Sequence, residues 1–239
     1  MEFLNKIKAK SEGIYTASPV TIAFLGDSVT QGCFEVYSSK HGWLETIFDA
    51  ENGYPSKLLK ILRTVYSRVP FNMINAGLSG ADTVIGLSRL ERDVLVYKPD
   101  LTIVCYGLND CTKGENFLNE YCENLRTIFK KLKANGSDVI FMTPNMMCTE
   151  INIDSEDKFK LYQEKTAEYQ NSGILDLYMQ KAKDIATEQD VLICDCYQIW
   201  KNLYSNGSDI NLLLENKMNH PTREMHWLFA NMLFNTIHT

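Results

Sequence analysis

Four short stretches, far apart in the chain, carry residue types that together can break an acyl bond. They are Gly26-Asp27-Ser28, Asn75-Ala76-Gly77-Leu78-Ser79-Gly80, Gly107-Leu108-Asn109-Asp110 and Asn219-His220-Pro221. A serine hydroxyl is a weak nucleophile unless a base draws off its proton during attack. Histidine is the usual base, with an unperturbed pKa of about 6.5. The tetrahedral intermediate then needs fixed donors aimed at its oxygen. A glycine lets a backbone N–H approach without a Cβ in the way, and an asparagine amide supplies a further donor. Ser28, Gly77, Asn109 and His220 meet these needs as a set. Each alone has a plainer reading: Ser28 as a turn cap, Gly77 as a tight-turn glycine, Asn109-Asp110 as a turn pair, His220 as the opening of a helix.

The set is useful only if the fold brings the four stretches together. Apolar runs at Val20–Leu25, Phe71–Asn75, Leu101–Tyr106, Val139–Thr143 and Val191–Cys196 read as strands. They are apolar on both faces, as strands buried in a parallel sheet must be. Between them lie helical patterns at Tyr54–Tyr66, Thr83–Tyr97 and Glu115–Lys133. Asp154–Thr187 reads as one helix or a pair broken at Gly173, and a final helix follows His220 with Pro221 in its first turn. Strands alternating with helices predict an α/β sandwich around a parallel sheet. Ligands in such folds bind beyond the carboxyl ends of the strands, near the point where strand order reverses. The serine, glycine and asparagine stretches each follow a strand, so all three belong at that edge. A C-terminal segment carrying His220 can reach it.

These blocks, in this order and together with Lys98-Pro99-Asp100 ahead of the third strand, resemble the SGNH hydrolases, the GDSL-like lipases and esterases. The resemblance spans nearly the whole chain. It implies a flavodoxin-like three-layer αβα sandwich with a five-stranded parallel sheet, a single domain over residues 1–239, and hydrolysis of a carboxylic ester without a cofactor. It implies Ser28 as nucleophile and His220 as general base. It also implies an oxyanion hole made by the Ser28 N–H, the Gly77 N–H and the Asn109 amide. A carbohydrate acetyl ester is one substrate it suggests; thioesterase and lysophospholipase chemistry would use the same residues.

One position departs from the family. Its members usually carry an aspartate three residues before the histidine, where this chain has Lys217. A lysine cannot accept the Nδ1–H of His220. Three alternatives follow: a main-chain carbonyl near Asn216 or Lys217 orients the ring as a Ser–His dyad, Glu215 or Asp209 swings in, or the site is impaired. The last would make the chain a non-catalytic module binding a carbohydrate or acyl ligand.

Composition excludes other classes. The net charge of −6 leaves no basic stripe for nucleic acid, and neither GxxxxGK[ST] nor GxGxxG occurs. No apolar run is long enough for a membrane span. The seven cysteines include no CxxC pair, so free thiols in a reducing cytoplasm are expected, with no metal site. A small-molecule ester is the expected partner. The segment 33–53, with Phe34, Tyr37, His41, Trp43 and Phe48, reads as an insertion that walls the pocket or packs on itself; Pro144–Met147 is a second candidate wall. His226 reads as structural, and Asp110 as bonded within its own loop.

Overall fold

The computed structural model describes residues 1–41 and 44–239; Trp43, named above as part of the aromatic insertion, lies outside the described residues. Among the described residues there are seven strands: β1 (Val20–Gly26), β2 (Cys33–Ser38), β3 (Leu44–Phe48), β4 (Phe71–Gly77), β5 (Leu101–Cys105), β6 (Asp138–Met142) and β7 (Leu192–Cys194). Five form one parallel sheet in the order β4-β1-β5-β6-β7. The runs apolar on both faces account for it. Every residue of β5 is buried, and β1 buries Ile22, Ala23, Phe24 and Leu25.

The main helices are α1 (Glu2–Glu12), α2 (Ser28–Gln31), α3 (Tyr54–Val65), α4 (Thr83–Asp93), α5 (Leu118–Ala134), α6 (Asp157–Asn171), α7 (Ile174–Glu188), α8 (Cys196–Ser205) and α9 (His226–Ile237). Helix α3 packs on α9, while α4, α5 and α7 pack in series. The long helical stretch breaks at Gly173, whose φ of 80° ends α6 in a left-handed residue that glycine adopts without strain. The result is the expected α/β sandwich.

Strand order reverses at β1, which lies between β4 and β5. In register, Gly26 of β1 pairs with Gly77 of β4 on one side and Cys105 of β5 on the other. The three strands therefore end level, and the chain leaving each one enters the same crevice.

One expectation is corrected, and a segment that the sequence left open takes shape. Pro221 is not in the first turn of α9, which starts at His226; it lies in an isolated antiparallel bridge with Leu214. Hydrogen bonds from Glu215 N–H to the His220 carbonyl (2.7 Å) and from Thr222 N–H to the Leu213 carbonyl (2.9 Å) hold this stretch extended. The 33–53 segment is not a plain loop. Its β2 and β3 form a separate antiparallel hairpin in which Cys33 pairs with Phe48 and Val36 with Thr46. Phe34 and Glu35 together thus face the single residue Ile47. That bulge kinks β2 and frees the Phe34 carbonyl from the ladder.

Candidate active site

Ser28 heads α2. Asp27 caps this short helix, its Oδ1 accepting the Val29 N–H at 3.0 Å, and Gly32 ends it with a φ of 91°. The Ser28 N–H is one of the unpaired donors that every helix N-terminus presents. Asp27 is fully enclosed, and burial pushes its carboxyl up to about 7.

His220 meets Ser28 across 192 residues of sequence: Nε2 lies 3.0 Å from Ser28 Oγ. The other ring nitrogen, Nδ1, lies 2.9 Å from the Phe34 carbonyl oxygen. A carbonyl can only accept, so Nδ1 carries the proton and Nε2 turns its lone pair to the serine hydroxyl. Ser28 is 5% exposed and His220 6%. Burial pushes the imidazole down to about 4, partly opposed by the Phe34 bond, so the ring is neutral at pH 7.

The acceptor is therefore none of those expected from sequence. The turn before His220 is built by Asn216, whose Oδ1 accepts the N–H groups of Met218 (3.0 Å), Asn219 (2.9 Å) and His220 (2.9 Å). Lys217 sits at its apex with a φ of 58°. Glu215 approaches Arg223 instead, at 3.9 Å, and Asp209 caps the following 3-10 turn through the Asn211 N–H at 2.9 Å. From behind, Asn145 Nδ2 donates to the Asn219 carbonyl at 2.9 Å. Pro144–Met147 is buried, supporting the histidine turn rather than walling a pocket.

Asn109 stands on the opposite side. Its Nδ2 donates to the Ala81 carbonyl at 2.9 Å, which uses one of its two amide protons and leaves the other. The next residue, Asp110, reaches beyond its own loop. Its Oδ1 accepts from the Thr83 N–H at 2.9 Å and hydroxyl at 2.6 Å, fixing the start of α4.

Gly77 does not offer a free donor. Its N–H donates to Asn75 Oδ1 at 2.9 Å, and that single proton is then committed. A Cβ at Gly77 would come within 2.3 Å of the Gln31 backbone nitrogen, so this glycine serves the close approach of β4 to α2. Gly80 is different. Its φ is 76°, a Cβ there would meet nothing within 4 Å, and its N–H has no acceptor among the described residues. Its neighbours are tied to both sides of the crevice: the Ser79 N–H donates to Gln31 Oε1 at 2.6 Å, and the Ala81 carbonyl takes the Asn109 amide.

The other candidates fall out of the chemistry. His226 is buried in α9 and accepts the Tyr54 N–H on Nδ1 at 2.9 Å, a structural bond. Burial pushes the Cys111 thiol up to about 12, so it holds its proton. All seven cysteines are free of disulfides; Cys194, at the end of β7, and Cys196, at the start of α8, bring their sulfurs to 3.7 Å. Among the described residues, no group of three or more His, Cys, Asp or Glu could hold a metal ion, and no helix is long and apolar enough to cross a membrane.

Comparisons with known proteins identify the family and the fold. The GDSL-like lipase/acylhydrolase family matches residues 24–228. An acetylxylan esterase of Geobacillus stearothermophilus is 26% identical over 197 residues, 77% of this chain and 80% of the relative. A crystal structure of an acetylxylan esterase from that organism superposes with a TM-score of 0.68 at 23% identity, over 93% of this chain and 95% of that one. An α/β hydrolase from the metagenome of Lake Arreo, Spain, gives the same TM-score at 20% identity, over 94% and 97%. With the family match running from β1 into α9, the chain belongs to the GDSL-like lipase/acylhydrolase family of carboxylic ester hydrolases.

Proposed function

We propose that this chain hydrolyses a small ester through an acyl-enzyme on Ser28, with His220 as the base. The observation that carries the reading is the line Phe34 carbonyl, His220 ring, Ser28 hydroxyl, with contacts of 2.9 and 3.0 Å. In the first half-reaction Nε2 takes the Ser28 proton as Oγ bonds to the ester carbon. The carbonyl oxygen becomes an oxyanion, and the imidazolium then gives its proton to the departing alcohol. In the second, water attacks the acyl-serine, His220 takes the water's proton, and Ser28 leaves with it.

Three donors suit the oxyanion: the Ser28 N–H, the remaining Asn109 amide proton, and the Gly80 N–H in place of Gly77. All three have a proton to spare. No carboxylate stabilises the imidazolium directly, so the dyad leans on the neutral Phe34 acceptor and on these donors. A carboxylate-free dyad need not be slow. The large penalty of removing a triad acid arises mostly from the wrong tautomer, and the Phe34 carbonyl selects the right one.

An acetyl group on a carbohydrate is the substrate we favour. The similarity to acetylxylan esterases supports it. So does a nucleophile only 5% exposed, which suits a short acyl group.

Release of acetate from 4-nitrophenyl acetate and from acetylated xylo-oligosaccharides tests the reading. Ser28→Ala should abolish turnover, and Asn109→Ala should cut kcat about 10²–10³-fold. A wild-type chain that binds acetylated sugar tightly but never releases acetate would instead mark a binding module.

A further inference from the structure

The residue that aligns the base has itself to be held, and the hairpin carrying it is poorly suited to the task. Among the described residues, strands β2 and β3 pair only with each other, and Tyr37, Leu44, Ile47 and Phe48 on them are exposed. An isolated two-stranded hairpin is marginally stable in water. Resting on the Ser28–His220 reading above, we propose that Arg223 is a positioning residue for the base: by gripping Glu35 and Asp49 it fixes the bulged segment of β2 where the Phe34 carbonyl meets His220 Nδ1.

The geometry is specific. Arg223 lies three residues after His220, in the turn that leads from the Pro221 bridge into α9. Its Nη1 and Nη2 donate to Glu35 Oε1 and Oε2 at 2.8 and 3.0 Å, a two-pronged pair. Its Nε donates to Asp49 Oδ2 at 2.8 Å. The guanidinium carbon lies 4.4 Å from the centre of the Phe34 ring. Glu35 directly follows Phe34. Asp49 holds the other end, its N–H donating to the Gly32 carbonyl at 2.8 Å. One side chain three residues from the histidine thus pins both sides of Phe34. The planar fork is what makes this possible; a lysine supplies the charge but neither the paired bond nor the stacking.

The arrangement also gives the 33–53 segment a task. Its contribution to the site is a backbone oxygen held at a set distance, and Arg223, Glu35 and Asp49 are the means. Glu215 comes within 3.9 Å of the same guanidinium, so three carboxylates surround it.

Arg223→Ala, Arg223→Lys and Glu35→Gln test this, with 4-nitrophenyl acetate for kinetics and proton NMR of the His220 Nδ1–H for geometry. A reacting group displaced by about 1 Å costs about 10²-fold, so Arg223→Ala should lower kcat by up to about that factor with KM little changed. The lysine and glutamine variants should fall between. The Nδ1–H resonance, shifted downfield by its hydrogen bond and slow to exchange in the wild type, should broaden or vanish in each folded variant. Should Arg223→Ala fail to fold by circular dichroism, the other two carry the test. Rates within about twofold of wild type in all variants that fold would overturn the proposal. So would slowed turnover with the resonance intact, since Arg223 would then act by another route. If the wild type releases no acetate, the esterase reading fails by itself; the NMR comparison still decides whether Arg223 holds Phe34 against His220.

Discussion

The main-chain oxygen of Phe34 and the Nδ1 of His220, 186 residues apart in sequence, meet at 2.9 Å. In the proposed mechanism this contact takes the place where many serine hydrolases use an aspartate, and the residue three before His220 has no part in it. Lys217 lies at the apex of a turn whose hydrogen bonds come from Asn216. Lys217→Ala should therefore keep kcat within about threefold, far from the roughly 10⁴-fold cost of spoiling a triad tautomer. Ester hydrolysis by the purified variant checks it, and a near-total loss in a folded protein would show that Lys217 acts at the ring.

The two glycines of the Asn75–Gly80 block should separate by substitution. Gly77→Ala drives a Cβ to 2.3 Å from the Gln31 nitrogen, a backbone atom that cannot step aside cheaply. Its loss should appear as a lower melting temperature, with a cost of about 1–3 kcal/mol as for other overpacked sites. Gly80→Ala meets open space but must hold a φ of 76°, a strain of about 1–2 kcal/mol concentrated in the loop. It should fold and lose kcat as the donor shifts. A stable Gly77→Ala with reduced kcat, beside a fully active Gly80→Ala, would reverse the assignment.

The pH dependence has a definite sign. His220 works as a base only when neutral, that is, above its own pKa. Burial pushes that value down to about 4, against about 6.5 for a solvated histidine. The acid limb of kcat/KM should then have its midpoint nearer 4, leaving the enzyme active at pH 5.5. Acetate release from a neutral sugar ester across pH 4–8 measures it; a midpoint at or above about 6.5 would mean that water reaches the ring.

Asp27 makes an opposite contribution to stability. Its native pKa rises to about 7 from 3.8, so between those values the folded chain holds a proton that the unfolded chain releases. Folding stability from this group falls as pH rises through that window. Asp27→Asn keeps an oxygen for the Val29 N–H and removes the titration. The variant should gain on the wild type as pH rises from 4 to 7, by an amount on the order of a few kcal/mol. Urea melts at both pH values measure the difference, and a constant gap would contradict it.

The sheet was legible because buried parallel strands leave a residue-level mark: Leu101–Cys105 and Val20–Leu25 are apolar at every position but Thr102 and Thr21. Glycine at the level strand ends marked the crevice for the same reason. The β2–β3 hairpin was not legible, since its bulge at Phe34–Glu35 interrupts the alternation a strand would show. Helix α1 buries only Phe3, Ile7 and Lys10 along an otherwise polar stretch, too faint a stripe to detect. Within the site, side chains could be found by type, but the acceptor for His220 is a carbonyl that every residue possesses. The same limit applies to Gly77 and Gly80. Residue type says that an N–H can come close; only the position of Asn75 Oδ1 says which one is already taken. Arg223 left only a faint signal, a cation three residues from the histidine, and nothing in residue type distinguishes Glu35 and Asp49 from the other two acids of the inserted segment, Glu45 and Glu51.

The outward-facing hairpin is the kind of surface projection at which a chain is ordinarily split, tagged or circularly permuted at little cost. Here that convenience is deceptive, because the far side of the same projection sets the tautomer of the base. A reporter spliced into it, an antibody clasping it or a protease nicking it would silence the enzyme from outside, without entering the crevice.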